Sequence, residues 1–220
     1  MTSKEVKDLL ARHGAVLTGG HFVYKAGDHG DAYVAKDALF PHPSAMEQLA
    51  ETIAERNKNA GIQVVTGAVV GGAILAQHVG QELDFVASGV HTPFIDKEGT
   101  DFVIRRGYGR FFDDKRVLIV EDILTTGKTA RRAVELVRAA GASFVMVMAL
   151  VNRGGVTSKQ IGAPLVSLLD LELTKYPATE CPLCAASVPV NTQFGHGREF
   201  LATKATARVH PFDPDATPGG

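Results

Sequence analysis

The chain has 220 residues, 45% hydrophobic and 21% charged, which is enough apolar material for a buried core and far from the composition of a disordered chain. A formal charge of -1, from 23 basic and 24 acidic residues, excludes the broad basic surface of a general nucleic-acid or anionic-membrane binder. No apolar run reaches the ~18–20 residues of a membrane span, Met1–Glu5 lacks a basic-then-apolar leader pattern, and two cysteines make no disulfide framework, so the expected setting is cytoplasmic.

In chain order, Thr2-Ser3-Lys4-Glu5 reads as a capping box, followed by Val6, Leu9 and Leu10 at helical spacing and a stop at Gly14. Residues 16–36 mix Val, Phe and Tyr with glycines, which predicts short strands and turns. A second capping box, Ser44-Ala45-Met46-Glu47, opens a helix whose apolar face is Met46, Leu49, Ala50 and Ile53. Val64-Val65 leads into Gly67-Ala68-Val69-Val70-Gly71-Gly72 and a helix over Ala73 to Leu83. Phe85-Val86-Ala87 reads as a short strand, and 92–112 as a hairpin around Asp96-Lys97-Glu98-Gly99. Val117-Leu118-Ile119-Val120 is apolar at every position, as a central parallel strand covered on both faces must be. Ala130, Ala133, Val134 and Val137 stripe the next helix, Gly141 closes it, and Phe144–Val151 and Leu165–Leu171 are two further buried strands. Alternating strands and helices predict an α/β fold with a mainly parallel central sheet and helices on both faces. No repeat or linker divides the chain. The expectation is a single domain over 1–203, with a small hood from about 14–40 and 172–203 and a flexible tail over 204–220.

Ligands of open α/β sheets bind beyond the carboxyl ends of the strands, and residues 120–129 occupy such an end. Glu121 and Asp122 place adjacent carboxylates there, suited to accepting hydrogen bonds from vicinal sugar hydroxyls. Thr125, Thr126, Gly127, Lys128 and Thr129 form a turn opening directly into a helix, where backbone N–H groups and the helix dipole favour a phosphate. Together they describe a site for a ribose carrying a 5-phosphate. Gly127-Lys128-Thr129 imitates the end of a P-loop, but that motif needs a glycine where Asp122 stands. A capped helix after a buried strand explains the Thr and Gly, but not the acidic pair.

Val117–Thr129 resembles the phosphoribosyl pyrophosphate motif of type I phosphoribosyltransferases: four apolar residues, an acidic pair, then a Thr/Gly loop. His21-Phe22-Val23-Tyr24-Lys25-Ala26-Gly27, with Tyr33 and Lys36 downstream, is similar to the N-terminal segment of orotate phosphoribosyltransferases. So are Phe102-Val103-Ile104-Arg105-Arg106-Gly107-Tyr108, Val151-Asn152-Arg153, and Tyr176-Pro177 with Cys181-Pro182-Leu183-Cys184, so the resemblance runs from about His21 to Cys184. It implies an enzyme of the pentosyltransferase class. A nitrogenous base, orotate in pyrimidine nucleotide synthesis, attacks C1 of the ribose, pyrophosphate leaves and the configuration inverts. It also implies Mg2+ held mainly by the substrate, with Asp122 the one residue placed to touch it, and a homodimer whose mobile segment reaches across the interface. By the same resemblance Glu121, Asp122 and Lys25 are the catalytic candidates. Thr125–Thr129 take the 5-phosphate, and Gly67, Ala68, Val69, Val70, Gly71 and Gly72 the pyrophosphate, with Arg105 and Arg106. Arg153 faces the pyrimidine.

The chain departs from that family in three places. The Lys-x-x-Lys-x-His-Gly loop is missing, with 92–112 the candidate mobile segment in its neighbourhood. Lys128 stands at a usually small position, and Asn191–Arg198 replaces a Pro-Gly-Ser-Arg ending. These departures leave a purine or other base, or a non-catalytic sensor of phosphoribosyl pyrophosphate, as alternative readings. Arg105 and Arg106 would face opposite sides of a strand. Cys181 and Cys184 have zinc-ligand spacing but are two ligands short. His196 could supply one more and no fourth is evident, so the favoured expectation is a turn with small buried thiols.

Overall fold

The computed structural model describes residues 1–209. In chain order its elements are α1 (Ser3–Arg12), β1 (Val16–Val23), β2 (His29–Val34), α2 (Pro43–Asn57), β3 (Val64–Thr66), α3 (Gly71–Ala87), β4 (Asp96–Glu98), β5 (Asp101–Val103), β6 (Arg116–Leu124), α4 (Lys128–Ala139), β7 (Phe144–Asn152), α5 (Ser158–Ile161), β8 (Leu165–Asp170), α6 (Pro182–Ala185) and α7 (Gly197–Val209). Packing separates two compact units. The first comprises residues 1–16 and 36–172, the second 17–35 and 173 onward.

The first unit is built on a parallel sheet of order β3-β6-β7-β8. Val117, Leu118, Ile119 and Val120 are all fully buried, because β6 lies between β3 and β7 and is covered on both faces. Leu118 and Val120 join one apolar cluster with α1, α2 and α3. Val117 and Ile119 join a second with α4 and α5. This is the two-sided alternation of a strand serving two cores. The helix stripes also follow the sequence: Met46, Leu49, Ala50 and Ile53 of α2, and Ala130, Ala133, Val134 and Val137 of α4, are all buried.

Several local expectations change. The Thr2–Glu5 capping box forms, but α2 starts two residues earlier than the second box implies. Pro43 takes its first turn behind an uncapped His42, since a proline with its φ already set suits that position. Phe85-Val86-Ala87 is not a strand. It is the last turn of α3, which runs on until Ser88 and Gly89 adopt positive φ. The chain that extends the sheet beside β3 comes slightly later: His91 and Ile95 exchange backbone hydrogen bonds with Gln63, Val65, Gly67 and Val69. β8 is an edge strand with Val166 exposed rather than a fully buried one. The expected 92–112 hairpin contracts to β4 and β5, paired antiparallel from Asp96↔Val103 to Glu98↔Asp101, and Tyr108–Phe111 form a 3-10 turn.

The second unit pairs β1 with β2 and adds the C-terminal segment to them. Backbone hydrogen bonds join His29 to Tyr176, Asn191 to His21 and His196 to Val23. Phe22 stacks on Tyr33 at 5.6 Å, and Tyr33 meets Phe194 at 5.9 Å. The thiol turn expected from the sequence gains unforeseen neighbours. His21 and His29, both buried, converge on Cys181 and Cys184, whereas His196 is exposed and outside the group. Of the tail expected over 204–220, the first positions continue α7 to Val209; residues 210–220 lie outside the described residues. No helix among the described residues is long and apolar enough to cross a membrane.

Candidate functional site

β6 carries the acidic pair near its carboxyl end: the strand runs on to Leu124, and Glu121 pairs in register with Ala149 of β7. Glu121 lines a cleft of about 130 Å³ whose other walls are Ile123, Leu124 and residues 125–130. Asp122 faces the start of α3, where a Cβ on Gly71 would collide with its Oδ2. Gly71 is therefore required by close approach and not by backbone conformation.

Each carboxyl group has its own solution to burial. Asp122 receives the Lys36 ammonium at 3.0 Å. Burial works to lower Lys36, but the hydrogen bonds and charges of Asp37 and Asp122 outweigh it and hold the lysine above its ordinary range. Glu121 is buried with no counterion. Burial first, then the charge of Asp122, pushes it up to about 8, against a smaller opposing pull from Lys36. Its Oε1 has no hydrogen-bond partner among the described residues, nor has Thr66 Oγ1 at the end of neighbouring β3.

The cleft beside Glu121 is floored by the start of α4. Gly127 takes φ 71° immediately before the helix, a conformation that side chains resist. The first intrahelical bond is Arg131 N–H to Gly127 C=O. The N–H groups of the first turn are thus outside the helix ladder, and only that of Lys128 meets a long contact, 3.5 Å from Thr126 Oγ1. Thr125, Thr126 and Lys128 are exposed. Gly67–Val70 connects β3 to α3, with Val69–Val70 in the cis form. A Cβ on Gly67 would strike the backbone of Gly72. Both glycine-containing turns therefore lie at carboxyl ends of adjacent parallel strands.

The remaining sequence candidates fall in different places. Arg153 Nε donates to Thr125 Oγ1 at 3.0 Å and its backbone N–H to Leu124 C=O, which ties it to the turn before α4. Arg105 and Arg106 are not on a strand, since β5 ends at Val103 and Arg106 has φ 58°. Arg105 pairs with Glu98, and Arg106 with Asp96 at 3.3 Å. The hairpin that carries those carboxylates is itself anchored to α4, where Arg132 grips Asp101 through two bonds of 2.7 and 2.9 Å. Lys25 belongs to the second unit, on the exposed turn between β1 and β2. Lys36 is the residue that sequence reasoning left without a role, although it lies in the segment that carried the resemblance. Its spacing from Asp122 is tertiary, and nothing local announces it.

Residues 35–171 match the family of phosphoribosyl transferase domains. The orotate phosphoribosyltransferase of Caldanaerobacter subterraneus subsp. tengcongensis is 34% identical over 175 residues, which cover 80% of this chain and 88% of that protein. The orotate phosphoribosyltransferase of Thermotoga maritima is 31% identical over 194 residues, 87% of this chain and 98% of that protein. Among solved structures, Mycobacterium tuberculosis orotate phosphoribosyltransferase in complex with inorganic phosphate has a TM-score of 0.59 at 23% identity, covering 76% of this chain and 96% of that one. Giardia lamblia APRTase complexed with 9-deazaadenine has a TM-score of 0.57 at 21% identity, covering 78% and 99%. These structural likenesses are of fold, and the fold is the α/β architecture described above.

The protonated state of Glu121 has a measurable consequence. Its native pKa, about 8, lies above the ordinary 4.5, so the native chain keeps a proton that the unfolded chain releases. The sign follows: stability from this group is full below the ordinary value and is lost as pH rises toward the native one. Glu121→Gln has no proton to lose. Its unfolding midpoint should match the parent near pH ~5 and exceed it near pH ~8; a difference that does not grow with pH contradicts a neutral Glu121.

Proposed function

Since the chain belongs to the phosphoribosyltransferase family, we propose that it transfers the 5-phosphoribosyl group of phosphoribosyl pyrophosphate to orotate, releasing pyrophosphate. The observation that carries this reading is the continuity of buried strand, acidic pair and amide-rich turn from Val117 to Thr129. Supporting the choice of orotate are the names and 31–34% identities of the relatives that cover most of this chain.

In this reading the 5-phosphate rests on the turn over 125–129, where α4 offers N–H groups and dipole. Arg153, already bonded to Thr125, turns its remaining guanidinium donors to the carboxylate of orotate. The ribose hydroxyls lie between Glu121 and Asp122, which accept from them, and Glu121 in its neutral form also donates. The pyrophosphate lies along 67–72, where glycines let the backbone approach closely. The C1–oxygen bond breaks with its electron pair leaving on pyrophosphate. A bond forms from C1 to the base nitrogen, whose proton passes to solvent. Arg105 and Arg106 exchange their carboxylate partners for the departing diphosphate. The exposed tip of the β4–β5 hairpin is the candidate cover that keeps water from the reacting carbon.

The side chains fit a magnesium ion that arrives with the substrate. Asp122 is one carboxylate beside the glycine loop, Glu121 is neutral, and no group of three or more acidic side chains converges among the described residues. Mg2+ favours one or two protein carboxylates plus substrate phosphates, and when bound it supplies positive charge to the leaving group. Two unpaired cysteines agree with a reducing cytoplasm. Phe85, 91% exposed, and Val86, 63% exposed, end α3 and support a homodimer. Light scattering should give twice the 23.4 kDa chain mass, and a monomer mass contradicts the dimer.

The direct test measures pyrophosphate release with orotate, uracil, adenine and hypoxanthine in parallel with Mg2+. Turnover with orotate alone is expected. Turnover with a purine, or binding of phosphoribosyl pyrophosphate without turnover on any base, overturns the proposal. Asp122→Asn should fold normally and lose about ten- to a hundred-fold in kcat/KM, as for one charge-assisted hydrogen bond of ~1.5–3 kcal/mol; unchanged kinetics remove Asp122 from the mechanism.

A further inference from the structure

The second unit contains a group of side chains that the transferase chemistry does not use. His21 and His29, on β1 and at the start of β2, meet Cys181 and Cys184 at the start of and within α6. Four donor atoms, one from each residue, lie within 4.8 Å of one another. Cys184 Sγ is 3.4 Å from His29 Nδ1 and 3.7 Å from His21 Nε2, and Cys181 Sγ is 3.7 Å from His21 Nε2. We propose that these four residues bind one structural zinc ion, separate from the transferase site and from its magnesium.

Three observations carry this. The first is geometry: Zn–S bonds of ~2.3 Å and Zn–N bonds of ~2.0–2.1 Å at tetrahedral angles put S and N donors ~3.5 Å apart and two N donors ~3.3 Å apart. Three of the four sulfur–nitrogen distances, 3.4–3.7 Å, already match, and the two imidazole nitrogens, at 2.8 Å, must spread by about half an ångström. The second is tautomer. His21 Nδ1 faces the Val188 carbonyl at 2.8 Å and therefore carries the ring proton, which leaves the Nε2 lone pair aimed into the group. A carbonyl fixing the far nitrogen is the usual outer support of a metal-bound histidine. The third is charge and burial. His21, His29 and Cys181 are buried, and no carboxylate belongs to the group. Two thiolates and two neutral imidazoles balance a 2+ ion, so the filled cluster is neutral and tolerates its apolar surroundings. Four protein ligands leave no open coordination position, which marks a structural and not a catalytic ion.

The consequence is mechanical. β1, β2 and α6 come from opposite ends of the chain, with cysteines and histidines 152–163 positions apart. A small unit with so few large buried side chains is the kind that a metal completes. The ion would staple the C-terminal segment onto the β1–β2 pair, and its binding energy would be folding energy for that unit.

The test uses the full chain. Elemental analysis after purification should find one zinc per chain. Refolding with Co2+ should give the intense visible bands of a tetrahedral cobalt site together with thiolate-to-cobalt charge transfer. Cys184→Ser and His29→Ala should each lose the ion, while Cys184 in the parent should resist a thiol reagent until a strong chelator is added. Limited proteolysis of chelated parent should cut the chain after residue 172 and spare the first unit; this arm needs no variant and stands even if the variants misfold. Metal-free protein with both thiols reactive with or without chelator, a Cys181–Cys184 disulfide in the mass spectrum, or an octahedral cobalt spectrum each overturns the proposal. Metal content is read without substrate, so failure here is distinct from failure to use orotate.

Discussion

Two carboxyl groups side by side at the end of a fully buried strand are the constraint around which the first unit is arranged. Were both ionised at ~5 Å in surroundings of effective dielectric ~20, they would repel by ~3 kcal/mol before any cost of dehydration. The chain separates their fates. Lys36 comes to Asp122, and Glu121 keeps its proton. Asp122 lies against the glycine turn before α3, and Glu121 is among the residues lining the cleft at the start of α4.

That division explains why glycines cluster here. Gly71 leaves room for Asp122, Gly67 for the backbone of Gly72, and Gly127 supplies the positive φ that turns the chain into α4. In the proposed function, anion recognition falls to backbone N–H groups at helix starts, which need no charged side chain and cannot swing away. Three of the candidate cations are engaged in the structure described: Lys36 with Asp37 and Asp122, Arg105 with Glu98, Arg106 with Asp96. In the proposed function an incoming diphosphate replaces the carboxylate partners of Arg105 and Arg106. The exposed arginine pairs are weakly held, so such an exchange costs little.

What could be read in the sequence divides along physical lines. The apolar run Val117–Val120 identified the central strand, because burial on two faces leaves no polar position. The stripes of α2 and α4 were legible for the corresponding one-sided reason. Phe85-Val86-Ala87 misled because a β-rich triplet says nothing about the helix it ends, and its exposure is visible only in three dimensions. Arg105 and Arg106 were misplaced because the strand stops two residues before them, at a point no turn residue marks. Glu121 and Asp122 stand out in the sequence because acidic residues are anomalous in an apolar strand. Lys36, and the meeting of His21 and His29 with Cys181 and Cys184, depend on residues far apart in the chain. A lone Cys-x-x-Cys has no local partner to complete it, so only the fold brings His21 and His29 to it.

A crystal grown with phosphoribosyl pyrophosphate is the most direct examination of the site. The 5-phosphate should be found on the backbone N–H groups that open α4, with the ribose hydroxyls between Glu121 and Asp122. Density for the sugar phosphate elsewhere, with the turn over 125–129 unliganded, would contradict the account.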